Sequence, residues 1–262
     1  MKYYVVADVH GYYTYLMKAL ENAGYFTDTE PRRLIVCGDL LDRGEEAREV
    51  VDFMMKELEE GRLIYVLGNH EELLVSCLNS VARGGVHEIA SGLTCHTTNG
   101  TWDTLLQIAE MEEMDAYHRP LELVTRVRQS DLYKKLLSVC VDYYETPNYV
   151  FVHGWIPCHI AGVKPYLRYS YDENWRGADS EAWYRARWVN GMELACKQHI
   201  LEPDKTVVCG HWRASYGHAV IERKGTERGA DADYTPFYGK GVIGLDAHAA
   251  VSGFLNCIVI ED

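Results

Sequence analysis

The chain has 262 residues, 47% of them hydrophobic and 25% charged, a balance that suits a globular protein with a sizeable core. Its formal net charge of −13 excludes a surface built for nucleic acid polymer or anionic membrane, but not an anionic substrate in a pocket where bound cations reverse the field. Eight scattered cysteines without a C-x-x-C pair predict reduced thiols and a cytoplasmic setting, and neither a leader pattern nor a membrane-length apolar run is expected.

In chain order, Tyr3–Ala7 predicts a buried strand and Tyr13–Ala23 a helix that stops near Gly24. Arg33–Cys37 is the next strand. Glu45–Glu60 reads as a helix because Ala47, Val50, Val51, Met54, Met55 and Leu58 form one stripe, with Gly61 as its stop. Leu63–Leu67 and Glu71–Ala82 repeat the pattern a third time. Units of about 30 residues with this order predict parallel strands whose carboxyl ends carry the ligand site. From about residue 83 to 140 a helical insert is expected, with helices at Thr101–Met114 and Asp131–Val139. Val141–Glu145 and Tyr149–His153 predict a hairpin around Thr146-Pro147-Asn148. Residues 155–200 read as irregular and rich in aromatics, among them Tyr166, Trp175, Trp183, Tyr184 and Trp188. Thr206–Cys209, Val242–Leu245 and Leu255–Ile260 are the last strands, with a loop and an edge strand between Tyr216 and Lys240.

Six residues with ligand chemistry follow short apolar strands: Asp8, His10, Asp39, Asn69, His153 and His211. Each lies at or near a glycine, which lets the chain turn sharply at the strand end. This mixed nitrogen and oxygen set suits two divalent ions, Mn, Fe or Zn, better than Ca or Mg, with Mn the first choice in vitro. A carboxylate shared between two ions would hold them at the spacing used by two-metal hydrolases, and Asp39 is the candidate bridge. The ions would lower the pKa of a bridging water. His70 is placed to protonate a leaving alkoxide, with Asp42 as its carboxylate partner. Arg43 offers a planar fork for phosphate oxygens; Arg185, Arg187 and Arg213 are candidates for a second arginine.

The series Asp8-x-His10-Gly11, Gly38-Asp39-x-x-Asp42-Arg43-Gly44, Gly68-Asn69-His70-Glu71, His153-Gly154 and Gly210-His211 resembles the phosphoprotein phosphatase (PPP-type) calcineurin-like metallophosphoesterases, in order and in spacing within each motif. The resemblance runs from about Tyr3 to His211. It implies an α/β (α+β) four-layer fold, a central β-sandwich flanked by helices, as one domain over residues 1–262 with the helical insert inside it. It implies Asp8, His10, Asp39, Asn69, His153 and His211 as metal ligands, His70 and Asp42 as the acid pair, Arg43 on phosphate, and no covalent phosphoenzyme. The closing Leu245-Asp246-Ala247-His248 departs from the small residues and glycine usual there, and the second arginine has no unambiguous match.

The expected function is metal-dependent hydrolysis of a phosphorylated protein or small phosphoester, of the bacterial serine/threonine phosphatase type. The alternative is hydrolysis of a dinucleoside polyphosphate such as diadenosine tetraphosphate, with aromatics of the 166–188 stretch holding a base. Outside enzymes, the alternative is an inactive binding module on the same fold. Asp246 and His248 stay outside the catalytic set, and His87, His96, His118, His159, His199 and His218 are expected to have no catalytic role. Oligomeric state is left open.

Overall fold

Strand alternation decides the layering, because successive side chains on a strand point to opposite faces. On β1 (Lys2–Val6), Tyr4 and Val6 join one core while Tyr3 and Val5 join another. The computed structural model describes residues 1–92, 94–162 and 167–262. In it, β1, β2 (Arg32–Cys37) and β3 (Leu63–Val66) run parallel, as the three strand–helix units predict. A final strand, Cys257–Glu261, lies antiparallel on the outer edge of β1, giving the order Cys257–Glu261, β1, β2, β3.

A second sheet starts with the predicted hairpin, β4 (Tyr144–Glu145) against β5 (Tyr149–Phe151). The antiparallel hairpin β6 (Cys158–Ala161) and β7 (Arg168–Tyr171) stands apart as a two-stranded sheet. The second sheet continues through β8 (Thr206–Arg213), parallel to β5, then β10 (Val242–Asp246), with β9 (Phe237–Gly239) on its edge. The two larger sheets meet through Val5, Ala7, Ile35, Cys37, Val66, Phe151, Val208 and Leu245, all fully buried. This is a mixed α/β sandwich with helices on its outer faces.

Three helices cover the outer face of the first sheet: α1 (Tyr13–Asn22), α2 (Ala47–Glu59) and α3 (Asn69–Ala82). The predicted stripe on α2 is the one it buries, with Leu58 partly exposed. The same core continues into α4 (Val86–Ala90), α6 (Thr101–Ala109), α7 (Glu113–His118) and α8 (Pro120–Gln129) through Val86, Trp102, Leu105, Ala116, Leu123 and Val127, with α5 (Cys95–Thr98) outside it. The outer face of the second sheet packs α9 (Ser180–Trp188) and α10 (Glu193–Gln198).

Three expectations change. The single helix over Thr101–Met114 is two, broken where Glu110 takes φ +51 and ends α6. The helix at Pro120 escapes a pattern reading although proline at a first helical position is favourable there. The irregular 155–200 region contains a hairpin and two helices. Asp179 caps α9 by accepting from the Ala182 amide at 2.9 Å, a local signal that the surrounding tryptophans and arginines mask. Among the described residues, no helix is long and apolar enough to cross a membrane.

Candidate active site

The parallel strands end on one side of the sandwich, and their following loops carry the predicted polar residues. The chain takes the left-handed region at Asp8 (φ +52), His10 (+50), Asp39 (+52), Asp42 (+74), Arg43 (+68) and His211 (+64). Each non-glycine residue held there costs about 1 kcal/mol or more, so the surrounding contacts must impose it. The sequence places glycines beside these residues and gives no sign that the site residues themselves carry the strain.

Asp39 sits between two groups of possible ligand atoms. One is His10, Asp39 and His70; the other is Asp39, His153 and His211. In the first, His10 Nε2 lies 3.8 Å from Asp39 Oδ2 and 4.0 Å from Asp8 Oδ1. In the second, His153 Nε2 lies 3.3 Å from Asp39 Oδ1 and 2.9 Å from Asn69 Oδ1. The Asp8 carboxylate accepts the His211 amide at 2.9 and 3.1 Å, tying β8 to the end of β1. All six predicted ligands are therefore drawn to one site, and Asp39 is the member common to both groups.

The donor set fits divalent cations on a specific observation. His10 Nδ1 faces the Leu41 carbonyl and His153 Nδ1 faces the Cys37 carbonyl, each at 3.0 Å, so each must carry a proton there. That leaves Nε2 of both rings facing carboxylate and amide oxygens. Nitrogen and oxygen atoms gathered this way can share a cation between them, and a carbonyl at Nδ1 is how histidine ligands are oriented.

The electrostatics agree. Burial, then Arg43, drives His10 well below the usual histidine range. Burial, then His153, brings His211 down to about 3. Both rings are thus neutral, the form that binds a metal. Burial pushes Asp8 well up, helped by Asp246 and Asp39. For Asp39 burial acts upward too, but in the acid range where it titrates the charge on the neighbouring histidines, His153 first, outweighs burial and sets it well below the usual carboxylate range.

His70 Nδ1 is 2.7 Å from Asp42 Oδ2, and both side chains are almost fully buried. His70 Nε2 points to the cluster, 3.8 Å from Asp39 Oδ2 and 3.3 Å from the exposed Arg43 guanidinium. Burial lowers His70, but Asp39 and Asp42 more than offset it and raise its pKa. The ring is held by a carboxylate at Nδ1, with Nε2 turned toward the ligand cluster.

Of the other candidate arginines, Arg185 and Arg187 are engaged elsewhere. Arg187, buried, donates to Glu72 and Asp142, each at 2.6 Å. Arg185 is exposed and donates to Glu181 at 2.7 Å. Arg213 has Glu227 at 3.7 Å. The aromatic stretch divides: Trp175 and Trp183 are buried core, whereas Tyr184 stacks on Trp188 at the surface with centroids 5.4 Å apart. Tyr166 lies outside the described residues.

Two residues near the centre carry no role in the sequence reading. Glu71 accepts three buried amides, those of Gly68 (2.8 Å), Asp39 (3.0 Å) and Leu40 (2.9 Å). Gly68 is needed for this approach, since a Cβ there would stand 2.3 Å from Asp39 Oδ1. Asp246 is buried, is raised by that burial and accepts the His248 amide at 2.7 Å. Its position at a strand end was the available signal. None of His87, His96, His118, His159, His199 or His218 belongs to either group of possible ligands.

Two sandwiched sheets with histidines and aspartates gathered around a shared Asp39 at the strand ends define a metallophosphoesterase architecture. The chain belongs to the calcineurin-like phosphoesterase family, whose pattern matches residues 1–237. The family is one of phosphoesterases that use divalent metals. It is similar to the asymmetrical bis(5'-nucleosyl)-tetraphosphatase PrpE of Bacillus velezensis, 37% identical over 76 residues, a match covering 27% of this chain and only 30% of that relative. It is similar along its length to the symmetrical bis(5'-nucleosyl)-tetraphosphatase of Erwinia tasmaniensis, 28% identical with 100% of this chain and 95% of the relative covered. Among solved structures it is similar to a cold-active protein-tyrosine phosphatase of a psychrophilic Shewanella, at 15% identity and a TM-score of 0.49, covering 100% of this chain and 75% of that one.

Proposed function

We propose that this chain is a phosphomonoesterase of the serine/threonine protein phosphatase type, one domain over residues 1–262 with a helical insert at about 83–140. The observation that carries the reading is the His70–Asp42 pair, 2.7 Å apart and buried beside the ligand cluster. An alkoxide is a poor leaving group and needs a proton as it departs, whereas a nucleotide leaves as an already stabilised anion. A buried acid of raised pKa is therefore most useful on an alkyl phosphate.

Asp8, His10, Asp39, Asn69, His153 and His211 would hold two divalent ions, with Asp39 common to both. The ions would supply activation of water and neutralisation of phosphoryl charge. Arg43, exposed at the rim, binds two phosphoryl oxygens in its planar fork. Water adds to phosphorus as the ester P–O bond breaks, and His70 Nε2 passes its proton to the departing oxygen. Asp42, at Nδ1, holds the ring in the tautomer that makes this possible. Arg185 and Arg187 would need to leave Glu181, Glu72 and Asp142 before either could serve as a second phosphate arginine.

A second reading, hydrolysis of a dinucleoside polyphosphate, is favoured by the names of the relatives. The surface stack of Tyr184 on Trp188 is the candidate base platform in that case. Steady-state rates of the Mn-loaded protein on a phosphoserine peptide and on diadenosine tetraphosphate separate the two. A kcat/KM at least tenfold higher on the peptide is the expected result, and the reverse order overturns the phosphatase reading.

A further inference from the structure

We infer that helix α6 of the helical insert positions the acid pair, through the Thr101 hydroxyl above all. Thr101 Oγ1 donates to Asp42 Oδ2 at 2.7 Å, the same oxygen that receives His70 Nδ1 at 2.7 Å. The other carboxylate oxygen, Oδ1, is buried without a hydrogen-bond partner among the described residues. Every bond that sets the rotation of this carboxylate therefore meets at Oδ2. His70 supplies one and Thr101 the other. With the hydroxyl gone, one contact remains to hold the plane that orients the imidazole.

The contact is built rather than incidental. Thr101, Thr104 and Gln107 recur every three residues on α6, a spacing that keeps them on one side of a helix. All three reach the loop that carries Asp42. The Asp42 amide donates to Thr104 Oγ1 at 3.1 Å. Gln107 Nε2 donates to the Gly44 carbonyl at 3.1 Å, and its Oε1 accepts the Ala47 amide at 2.8 Å. Thr101 and Thr104 are fully buried, so water cannot replace them. The loop they hold contains two consecutive left-handed non-glycine residues, Asp42 and Arg43, a conformation that persists only when neighbours over-determine it. Gly100, which opens α6 at φ +78, allows the approach, because a Cβ there would stand 2.5 Å from the Arg43 amide nitrogen.

Thr101 is fully buried and its hydroxyl reaches Asp42, so it acts through the pair as a positioning residue. The inference rests on the reading of His70 as the acid. Its signature is sensitivity to the leaving group, which a purely structural loss would not produce.

The test compares the Mn-loaded full-length protein with Thr101→Val, Thr101→Ala, Thr101→Ser and His70→Asn, each on phenyl phosphate and on p-nitrophenyl phosphate. Metal content and Tm are measured alongside. The expected result is that Thr101→Val and Thr101→Ala lower kcat on phenyl phosphate on the order of tenfold more than on p-nitrophenyl phosphate, in the same direction as His70→Asn. Thr101→Ser, which keeps the hydroxyl, restores the ratio. If His70→Asn changes the ratio but neither Thr101→Val nor Thr101→Ala does, the positioning role is wrong and the acid assignment stands. A Thr101→Ser ratio like that of Thr101→Val also overturns the role of the hydroxyl. If His70→Asn lowers both substrates equally, the acid assignment falls, and this inference with it. Thr101→Ala leaves more room than Thr101→Val, so a folding failure of the valine variant does not remove the comparison.

Discussion

Glu71 Oε2 lies 3.0 Å from the amide nitrogen of Asp39, so the first turn of α3 grips the backbone of the loop that presents the shared carboxylate. The same carboxylate also takes the amides of Leu40 and Gly68. One buried side chain thereby fixes two of the polar loops relative to each other. Without it, three buried amides lose their acceptor, at about 1–3 kcal/mol each. Glu71→Ala is expected to destabilise the fold by more than about 3 kcal/mol. Glu71→Gln should fall between that variant and the parent, because the amide nitrogen cannot accept. Urea denaturation of the three proteins checks the order, and a Glu71→Ala loss below about 1 kcal/mol would refute it.

Asp39 is the only residue in both groups of possible ligand atoms, so its replacement should disturb both positions at once. Asp39→Asn is expected to reduce Mn-dependent turnover by more than about 100-fold, beyond the usual cost of losing an outer-shell partner. Bound Mn measured by elemental analysis should fall as well. Retention of two ions per chain together with parental turnover would count against the shared role.

The leaving-group dependence of His70 gives a separate test. His70→Asn should cut turnover of alkyl phosphates by about 100-fold or more, the range for loss of a general acid. The loss on p-nitrophenyl phosphate should be much smaller, because its leaving group needs little protonation. Equal losses would show that His70 acts in some other way, for example as a further ligand beside His10 and Asp39.

Glu193, on α10, sets a pH dependence far from this chemistry. Its Oε2 is buried with no partner among the described residues, and burial pushes its pKa from 4.5 to about 7. Between those values the folded state keeps a proton that the unfolded state has released. This contribution to stability is intact below pH 4.5 and is lost as pH rises through 7. Glu193→Gln should therefore stabilise the protein at pH 8 by up to about 3 kcal/mol, and by little at pH 4.5. Tm values of both proteins across that range read the difference, and a gap that does not change with pH would contradict the assignment.

Much of this was legible in the sequence. Strand alternation and the stripe on α2 are local patterns, and they place Asp8, Asp39 and Asn69 after three parallel strands. His153 and His211 follow strands of the second sheet, and the structure brings them to the same Asp39. The helices at 120–129 and 180–188 were harder. The first is short and begins at a proline, and the second mixes tryptophans with arginines, so the start signals at Pro120 and Asp179 mark them best.

What the sequence determined by itself is the kind of chemistry, since ligand types, their order and their glycine-bounded spacing are properties of short segments. What only the tertiary structure decided is which groups meet. Thr101 reaches Asp42 across 59 positions, Glu71 turns to backbone amides and not to substrate, and Arg187 is taken by Glu72 and Asp142. Hydrogen bonds go to the nearest geometrically competent partner, and distance along the chain says little about distance in space. Three arginines that look alike in sequence are therefore separated only when helices and sheets have packed.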